Sequence, residues 1–286
     1  MKILVTGANG QLGKCLQDAA PAYGDYRFIF LGREHFALEQ FAMVQQVMHT
    51  LRPDVVINAA AYTAVDKAET QETLAFLMNA EVVGHLARQC GTVGSRLLHV
   101  STDYVFDGQS QTPYQETDPV HPLGVYGASK QKGEQLALEN HSQTAVVRTS
   151  WVYSRHGHNF VKTMLRLMGE RPEIKVVNDQ WGNPTWAMDL AHVLIQMAGA
   201  SHFTPGIFHY TNSGPITWHR LATQIAATTG KTTQVHPITT AEYPTPARRP
   251  AYSSLNCQKI AQVYGIAQKN WEHSLELCLQ EMTNQE

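Results

Sequence analysis

The chain has 286 residues, 43% of them hydrophobic and 16% charged, with a net charge of −2. That composition suits a globular protein of one large domain or two modest ones. It offers no basic field for nucleic acid, and no apolar run reaches the roughly 20 residues that cross a bilayer.

Short apolar runs alternate with helix-like stretches through the first two-thirds of the chain. Lys2–Val5 reads as a strand, Gln11–Ala20 as a helix, Arg27–Leu31 as a strand and Phe41–Leu51 as a helix. Val55–Ala60 is a third strand, Glu72–Gly91 a long helix and Arg96–Ser101 a fourth strand. Ser129–Glu139 is a helix and Ala145–Thr149 a fifth strand. Strands that are apolar throughout and separated by helices imply a parallel sheet covered on both faces. The expected fold is therefore α/β: a doubly wound parallel-sheet Rossmann domain over 1–150.

The rhythm changes after Trp151. Asn159–Gly169, Ala187–Ala198 and Trp218–Thr229 read as helices, and Ile174–Val177 and Gly206–Thr211 as strands. A loop with Pro237, Pro244, Pro246 and Pro250 follows, carrying Arg248 and Arg249. Asn256–Tyr264 and Trp271–Met282 end the chain as short helices. Residues 151–286 are expected to form mainly a smaller α/β substrate-binding lobe, with elements near 187–212 returning to the first domain.

The opening strand does not resemble a signal segment. The cysteines, Cys15, Cys90, Cys257 and Cys278, are far apart and form no CxxC pair, so neither a zinc site nor a disulfide framework is expected. Reduced thiols fit a cytoplasmic protein. The histidines are scattered; His156-Gly157-His158 reads as a polar loop, and no metal site is expected.

The N-terminal strand runs into Gly7-x-x-Gly10-x-x-Gly13. Glycine lets the backbone turn tightly against a pyrophosphate, and the following helix start supplies N–H donors and the positive dipole end. Gly7, Asn9, Gly10, Gln11 and Leu12 are the candidate phosphate-binding residues. The second strand ends at Leu31-Gly32-Arg33-Glu34 with no terminal acid. An acid there would take the ribose 2′-hydroxyl of NAD, whereas an Arg suits the 2′-phosphate of NADP. Gly32 and Arg33 therefore favour NADPH, and Glu34 keeps NADH possible. Ala60, Ala61 and Tyr62, after Asn58-Ala59, give small residues where a cofactor passes the sheet edge.

Tyr126 and Lys130 lie four residues apart, so on a helix they share one face. A Lys ammonium beside a Tyr hydroxyl is expected to lower the phenol pKa and make Tyr126 a proton donor or acceptor near neutrality. Thr102 closes the fourth strand, where ligands bind in open α/β sheets.

These pieces together resemble the extended short-chain dehydrogenase/reductases, and within them the dTDP-4-dehydrorhamnose reductase family. The matching stretches are TGANGQLG (6–13), NAAAYTAVDKAE (58–69), VSTDYVFDG (100–108), YGASK (126–130), RTSWVYS (148–154), NDQWGNPTWAMDLA (178–191) and RRPAYSSLN (248–256). The resemblance implies reduction of the C4 ketone of dTDP-4-dehydro-L-rhamnose by NADPH, with Thr102, Tyr126 and Lys130 as the catalytic set. Tyr126 would supply the proton, and Tyr126 and Lys130 would also contact the cofactor. Thr102, Asp103 and Trp151 match sugar-contacting positions, and Arg248 and Arg249 are candidates for the diphosphate or a surface basic pair. The implied partner is a small-molecule dTDP-sugar, made for lipopolysaccharide or another surface glycan.

Two departures stand out. The family's Arg-x-x-Leu-Asp pattern after the second strand is replaced by Arg33-Glu34-His35-Phe36-Ala37, with Ala37 at the acid's place. Some members dimerise through a glutamate-bound magnesium near the glycine turn; Lys14-Cys15 stands there, so no such bridge is expected and the choice between monomer and homodimer stays open. Two other readings are a nucleotide-sugar epimerase or dehydratase of the same superfamily, and a non-catalytic regulatory subunit like that of methionine adenosyltransferase. The first would need further acid and base groups beside Thr102, and the second would not need Thr102, Tyr126 and Lys130 together.

Overall fold

The computed structural model describes residues 1–283. Its first half runs β1 (Lys2–Thr6), α1 (Gln11–Ala19), β2 (Arg27–Leu31), α2 (Phe41–Leu51), β3 (Val55–Asn58), α3 (Val65–Ala68), α4 (Glu72–Phe76), α5 (Val82–Val93), β4 (Arg96–Thr102), α6 (Val125–Asn140) and β5 (Thr144–Thr149). The rest runs β6 (Val152–Tyr153), α7 (Phe160–Glu170), β7 (Glu173–Val177), β8 (Trp181–Gly182), β9 (Thr185–Trp186), α8 (Ala187–Gly199), β10 (Gly206–His209), β11 (Ile216–Thr217), α9 (Trp218–Thr228), β12 (Gln234–Ile238), α10 (Gln258–Tyr264) and α11 (Trp271–Thr283).

Six parallel strands form one sheet in the order β10-β5-β4-β3-β1-β2. The order reverses between β1 and β3, because β2 lies on one side of β1 and everything later on the other. The side chains of Ile3, Leu4 and Val5 are all fully buried, since helices cover both faces. One face packs on α1, α8 and α10 through Leu16, Leu190, Leu194 and Ile260. The other packs on α2 and α5 through Val44, Met48, Val83 and Leu86. A separate cluster, with Val161, Met164, Leu221, Ile225, Trp271 and Leu275, joins α7, α9 and α11 to the β7–β12 pair.

Several elements differ from expectation, each for a local reason. The run expected as one helix from Glu72 contains a π turn at Leu77–Glu81 between α4 and α5. This extra residue per turn aims Asn79 inward, where its Nδ2 donates to the Tyr62 carbonyl (3.0 Å) and to Ser129 Oγ (3.0 Å). The helix expected from Ser129 begins at Val125 and so includes Tyr126. Its first turn is held by Glu69, whose carboxylate accepts from the Val125 amide at 2.9 Å. Pro237, expected in a loop, lies within β12; that strand pairs only with β7, so its open edge tolerates a residue without an N–H. The short helix α3 was not expected.

Helix α6 sits unusually close to its neighbours. A Cβ on Gly127 would stand 2.1 Å from the Tyr104 carbonyl oxygen, and one on Gly133 would stand 1.9 Å from that of Asn79. The helix is also tied to β5 by a bidentate pair, Arg148 Nε to Glu134 Oε1 (2.9 Å) and Nη2 to Oε2 (2.6 Å). Both partners are buried, so each leaves the other uncompensated if removed.

Gly133→Ala is therefore expected to destabilise the protein by about 1–3 kcal/mol, because backbone rather than a flexible side-chain tip must move. The midpoint of urea unfolding checks this; Gly169→Ala, where a Cβ meets nothing within 4 Å, is the control and should leave the midpoint unchanged or raise it.

Candidate active site

The reversal of strand order opens a cleft of about 270 Å³ beyond the C-terminal ends of β1 and β3. Its lining includes Gly7, Asn9, Gly10, Gly32, Arg33, Ala60 and Ala61 from the sequence-predicted set. Gly7 has φ +67, and a Cβ there would lie 2.6 Å from the Ala60 amide nitrogen. Only glycine allows the first turn to lie against β3 in this way. The α1 N-cap, Gly10, offers no side-chain cap, so the first amides of that helix are left for a ligand.

Five predicted cofactor residues do not line this cleft: Tyr126 and Lys130 lie at the end of β4, and the side chains of Gln11, Leu12 and Tyr62 are engaged elsewhere. Gln11 turns toward the loop after β6, where its Oε1 accepts from Ser154 Oγ (3.2 Å) and Asn159 Nδ2 (2.9 Å). Leu12 packs against the hydrophobic core. Tyr62 donates its hydroxyl to Gln71 Oε1 at 2.9 Å, and its amide to Asn79 Oδ1 at 2.8 Å. Ala59, in the same small-residue run as Ala60 and Ala61, lines the cleft as well; Phe36, Leu38, Glu39 and Met78 line it and were not expected. Glu39 matters most. It accepts from Arg33 Nε at 2.9 Å, while Glu34 is engaged by Asn9 Nδ2 at 3.0 Å. An acid is thus present beside Arg33, two residues beyond Ala37. The only sequence signal for it was its nearness to Arg33.

Lys130, Tyr126, Thr102 and Asp103 meet where α6 crosses the end of β4. Lys130 is 2% exposed, and its Nζ donates to the Val100 carbonyl at 2.7 Å. Burial lowers its pKa to about 8, against the opposing pull of Glu134 one turn along α6. Tyr126 is half-buried, with its ring edge-on to Tyr104 at 5.7 Å. The expectation of a lowered phenol pKa is overturned. Burial pushes it up to about 12; the Thr102 hydroxyl beside it pulls the other way, and Asp103 raises it further. The Lys130 amino group is turned to the Val100 carbonyl instead of relieving that cost.

Thr102 Oγ1 accepts from the Tyr104 amide (3.2 Å) and donates to Asp103 Oδ1 (3.0 Å). Asp103 is 3% exposed and its Oδ2 has no hydrogen-bond partner. Burial raises its carboxyl pKa from 3.8 to about 6, although the Ser253 and Thr102 hydroxyls oppose the shift. Asp103 Oδ2 accepts no hydrogen bond of ordinary geometry, and beside a tyrosine facing a groove it is suited to a ligand hydroxyl.

That groove is lined by Tyr104, Tyr126, Gly127, Arg248 and Pro250 among others. Arg248 is exposed at its edge, whereas Arg249 is occupied by Asp66 (2.9 and 3.1 Å). Trp151 lies apart from these residues' hydrogen bonds. It takes φ +46, rare for an aromatic residue, and stacks on Trp218 at 3.6 Å.

Cys15, Asp18 and His156 bring potential metal ligands within 4.8 Å of one another. Asp18 is already bound by His156 Nε2 (2.6 Å) and by Arg155 (3.0 Å), and a guanidinium there competes with any cation. Burial pushes the Cys15 thiol up to about 12, away from the thiolate a metal needs.

The family profile described as RmlD substrate binding domain matches residues 1–284. The dTDP-4-dehydrorhamnose reductase of Burkholderia thailandensis is 41% identical over 300 aligned positions, covering 100% of both chains. The chain belongs to the dTDP-4-dehydrorhamnose reductase family. Two solved structures are similar throughout. The dTDP-4-dehydrorhamnose reductase of Clostridium acetobutylicum has a TM-score of 0.95 at 38% identity, covering 99% of this chain and 100% of that one. The dTDP-4-dehydrorhamnose reductase of Bacillus anthracis, in complex with NADP, has a TM-score of 0.94 at 38% identity, covering 98% and 99%.

The raised Asp103 pKa gives this family member a pH-dependent stability term. Its folded value lies above its unfolded one, so the fold binds more protons between them and loses stability as pH rises through about 4 to 6. Below the unfolded value the term vanishes; above the folded one it is complete. Asp103→Asn is expected to be more stable than the parent by up to about 3 kcal/mol near pH 8, and equal to it near pH 4. Urea unfolding at the two pH values checks this.

Proposed function

We propose that the chain reduces the C4 ketone of dTDP-4-dehydro-L-rhamnose to dTDP-L-rhamnose, using NADPH. Its membership of the family carries the reading, together with the convergence of Thr102, Tyr126 and Lys130 beside a glycine-lined cleft. Gly7, Gly10 and the free amides opening α1 suit a pyrophosphate. Arg33 suits a 2′-phosphate, and the Bacillus anthracis relative binds NADP.

The bound nicotinamide supplies the hydride to C4. Tyr126 then donates its proton to the oxygen. Its high pKa keeps the phenol protonated at neutral pH, and an alkoxide is a far stronger base than a phenolate, so the proton moves downhill. The Thr102 hydroxyl turns its single proton from Asp103 to the same oxygen, and the positive form of Lys130 stabilises the negative charge on Tyr126 once the proton has left. Asp103 Oδ2 accepts from a sugar hydroxyl. The four cysteines are free and buried, which suits a reducing cytoplasm.

Tyr126→Phe is expected to lower kcat by about 10²–10⁴-fold with little change in NADPH affinity. NADPH oxidation followed in absorbance, with the ketosugar generated in place, checks it; a wild type silent with both NADPH and NADH would overturn the reductase reading. Arg33→Ala is expected to raise the KM for NADPH about tenfold and leave that for NADH within about twofold, since one charge-assisted contact is lost.

A further inference from the structure

Behind Lys130, the sheet carries a row of buried polar side chains that the proposed chemistry does not use. Thr6, Asn58 and His99 sit side by side on β1, β3 and β4, in register with one another. None is more than 1% exposed. Thr6 Oγ1 donates to Asn58 Oδ1 (2.7 Å), Asn58 Nδ2 meets His99 Nδ1 (3.0 Å), and His99 Nε2 faces Lys130 Nζ (3.4 Å).

The direction of this row is fixed by one backbone amide. The Ala60 N–H points at Asn58 Oδ1 (3.2 Å), and a backbone amide can only donate. The Asn58 amide nitrogen must therefore face His99, so Nδ1 of that ring must accept. Burial and the nearby Lys130 both lower the His99 pKa, which keeps the ring neutral with its single proton on Nε2. That N–H points at Lys130 Nζ.

An ammonium in that place would set donor against donor. An amine would accept the N–H. We propose that His99 is a positioning residue acting through Lys130: its Nε2–H, imposed by Asn58 and Ala60, favours the amine form of Lys130 and directs one of the group's two N–H bonds toward the Val100 carbonyl. Lys130 is thereby held where it exchanges between ammonium and amine near neutrality instead of staying charged. The inference rests on the reading of Lys130 as a catalytic group.

The other charged and titratable groups around Lys130 act in different senses. Tyr126 and Glu134 flank it one turn away on α6, and Glu134 favours the ammonium. Arg148 approaches from β5 but is held by Glu134. Asp103 lies beyond Tyr126 and raises the phenol pKa. Among the described residues, His99 is the group from the sheet that meets Nζ with a side-chain donor.

Two readouts test this on the full-length protein, one of them independent of turnover. Nitrogen NMR of ¹⁵N-histidine-labelled protein, with the His99 signal assigned by its loss in His99→Gln, should show a neutral ring protonated on Nε2 between about pH 6 and 9. Carbon NMR of ¹³C-lysine-labelled protein, with Lys130 assigned by its loss in Lys130→Met, gives the titration of Nζ. Asn58→Asp replaces the donor with an acceptor, moves the ring proton to Nδ1 and turns a lone pair toward Nζ. The Lys130 titration should then rise by about one pH unit or more. In Asn58→Asp/His99→Leu, only the distant charge remains, and less than half of that rise should persist. His99→Gln can turn its amide N–H to Nζ and its oxygen to Asn58, so it should titrate as the wild type does.

The alkaline limb of kcat should follow the same order. A wild-type ring protonated on Nδ1, or an equal rise with and without the imidazole, would overturn the role of His99. Wild-type protein that fails to turn over the sugar while showing the expected NMR titrations would overturn the reductase reading and leave the His99–Lys130 coupling established.

Discussion

Helix α6 can lie where it does only because two of its residues have no side chain. Gly127 faces the Tyr104 carbonyl and Gly133 the Asn79 carbonyl, each at a separation that leaves no room for a methyl group. This seating brings Lys130 under the end of β4 within reach of the Val100 carbonyl and His99. It also sets Tyr126 against the Thr102 hydroxyl. The glycines thus act through packing rather than through backbone freedom, since both adopt ordinary helical conformation. The Arg148–Glu134 pair ties the same helix to β5, so its seating is fixed by an ion pair as well as by packing.

Close packing has an electrostatic consequence. Every ionisable group that meets at the end of β4 is pushed toward its neutral form: Asp103 and Tyr126 upward, Lys130 downward. Charge that develops there is poorly screened, and fixed donors act on it strongly. A water-rich site would let Tyr126 and Lys130 stabilise each other as ions at rest. Here, under the proposed reading, that stabilisation is held back until the phenol has given up its proton.

The fold was legible because its sheet strands are mostly apolar without polar alternation and are separated by helices, which leaves few alternatives to a covered parallel sheet. The glycine turn and the Tyr-x-x-x-Lys spacing were legible because they are local. What escaped was set by contacts distant in sequence. Glu39 reaches Arg33 only after the chain has turned at Gly32. Asn79 points inward because of a π turn that no periodicity announces. The Tyr126 phenol was expected to be acidified by its i+4 lysine; burial under Tyr104 and beside Asp103 overrides that local rule. The Thr6–Asn58–His99 row joins three strands, and each residue alone reads as an ordinary sheet position.

The two sides of the site are joined by charges rather than by the core. Asp66 and Glu69 follow the small residues that end β3, on the side of the glycine-lined cleft. Asp66 grips Arg249, and its Oδ1 also accepts from the Ala247 amide at 3.2 Å, on the loop that carries Arg248. Glu69 holds the start of α6. One short segment therefore positions the helix bearing Tyr126 and Lys130 and the loop that borders the groove in front of them. Asp66 is partly exposed, and its pKa is lowered mainly by the Arg249 guanidinium, so this link is polar, solvent-screened and individually weak. The buried Arg148–Glu134 pair and the seating of α6 are neither. The mechanical difference places rigidity behind Lys130 and compliance at the Arg248 loop. That is the distribution a site needs if the reacting groups stay fixed while a sugar nucleotide enters and leaves.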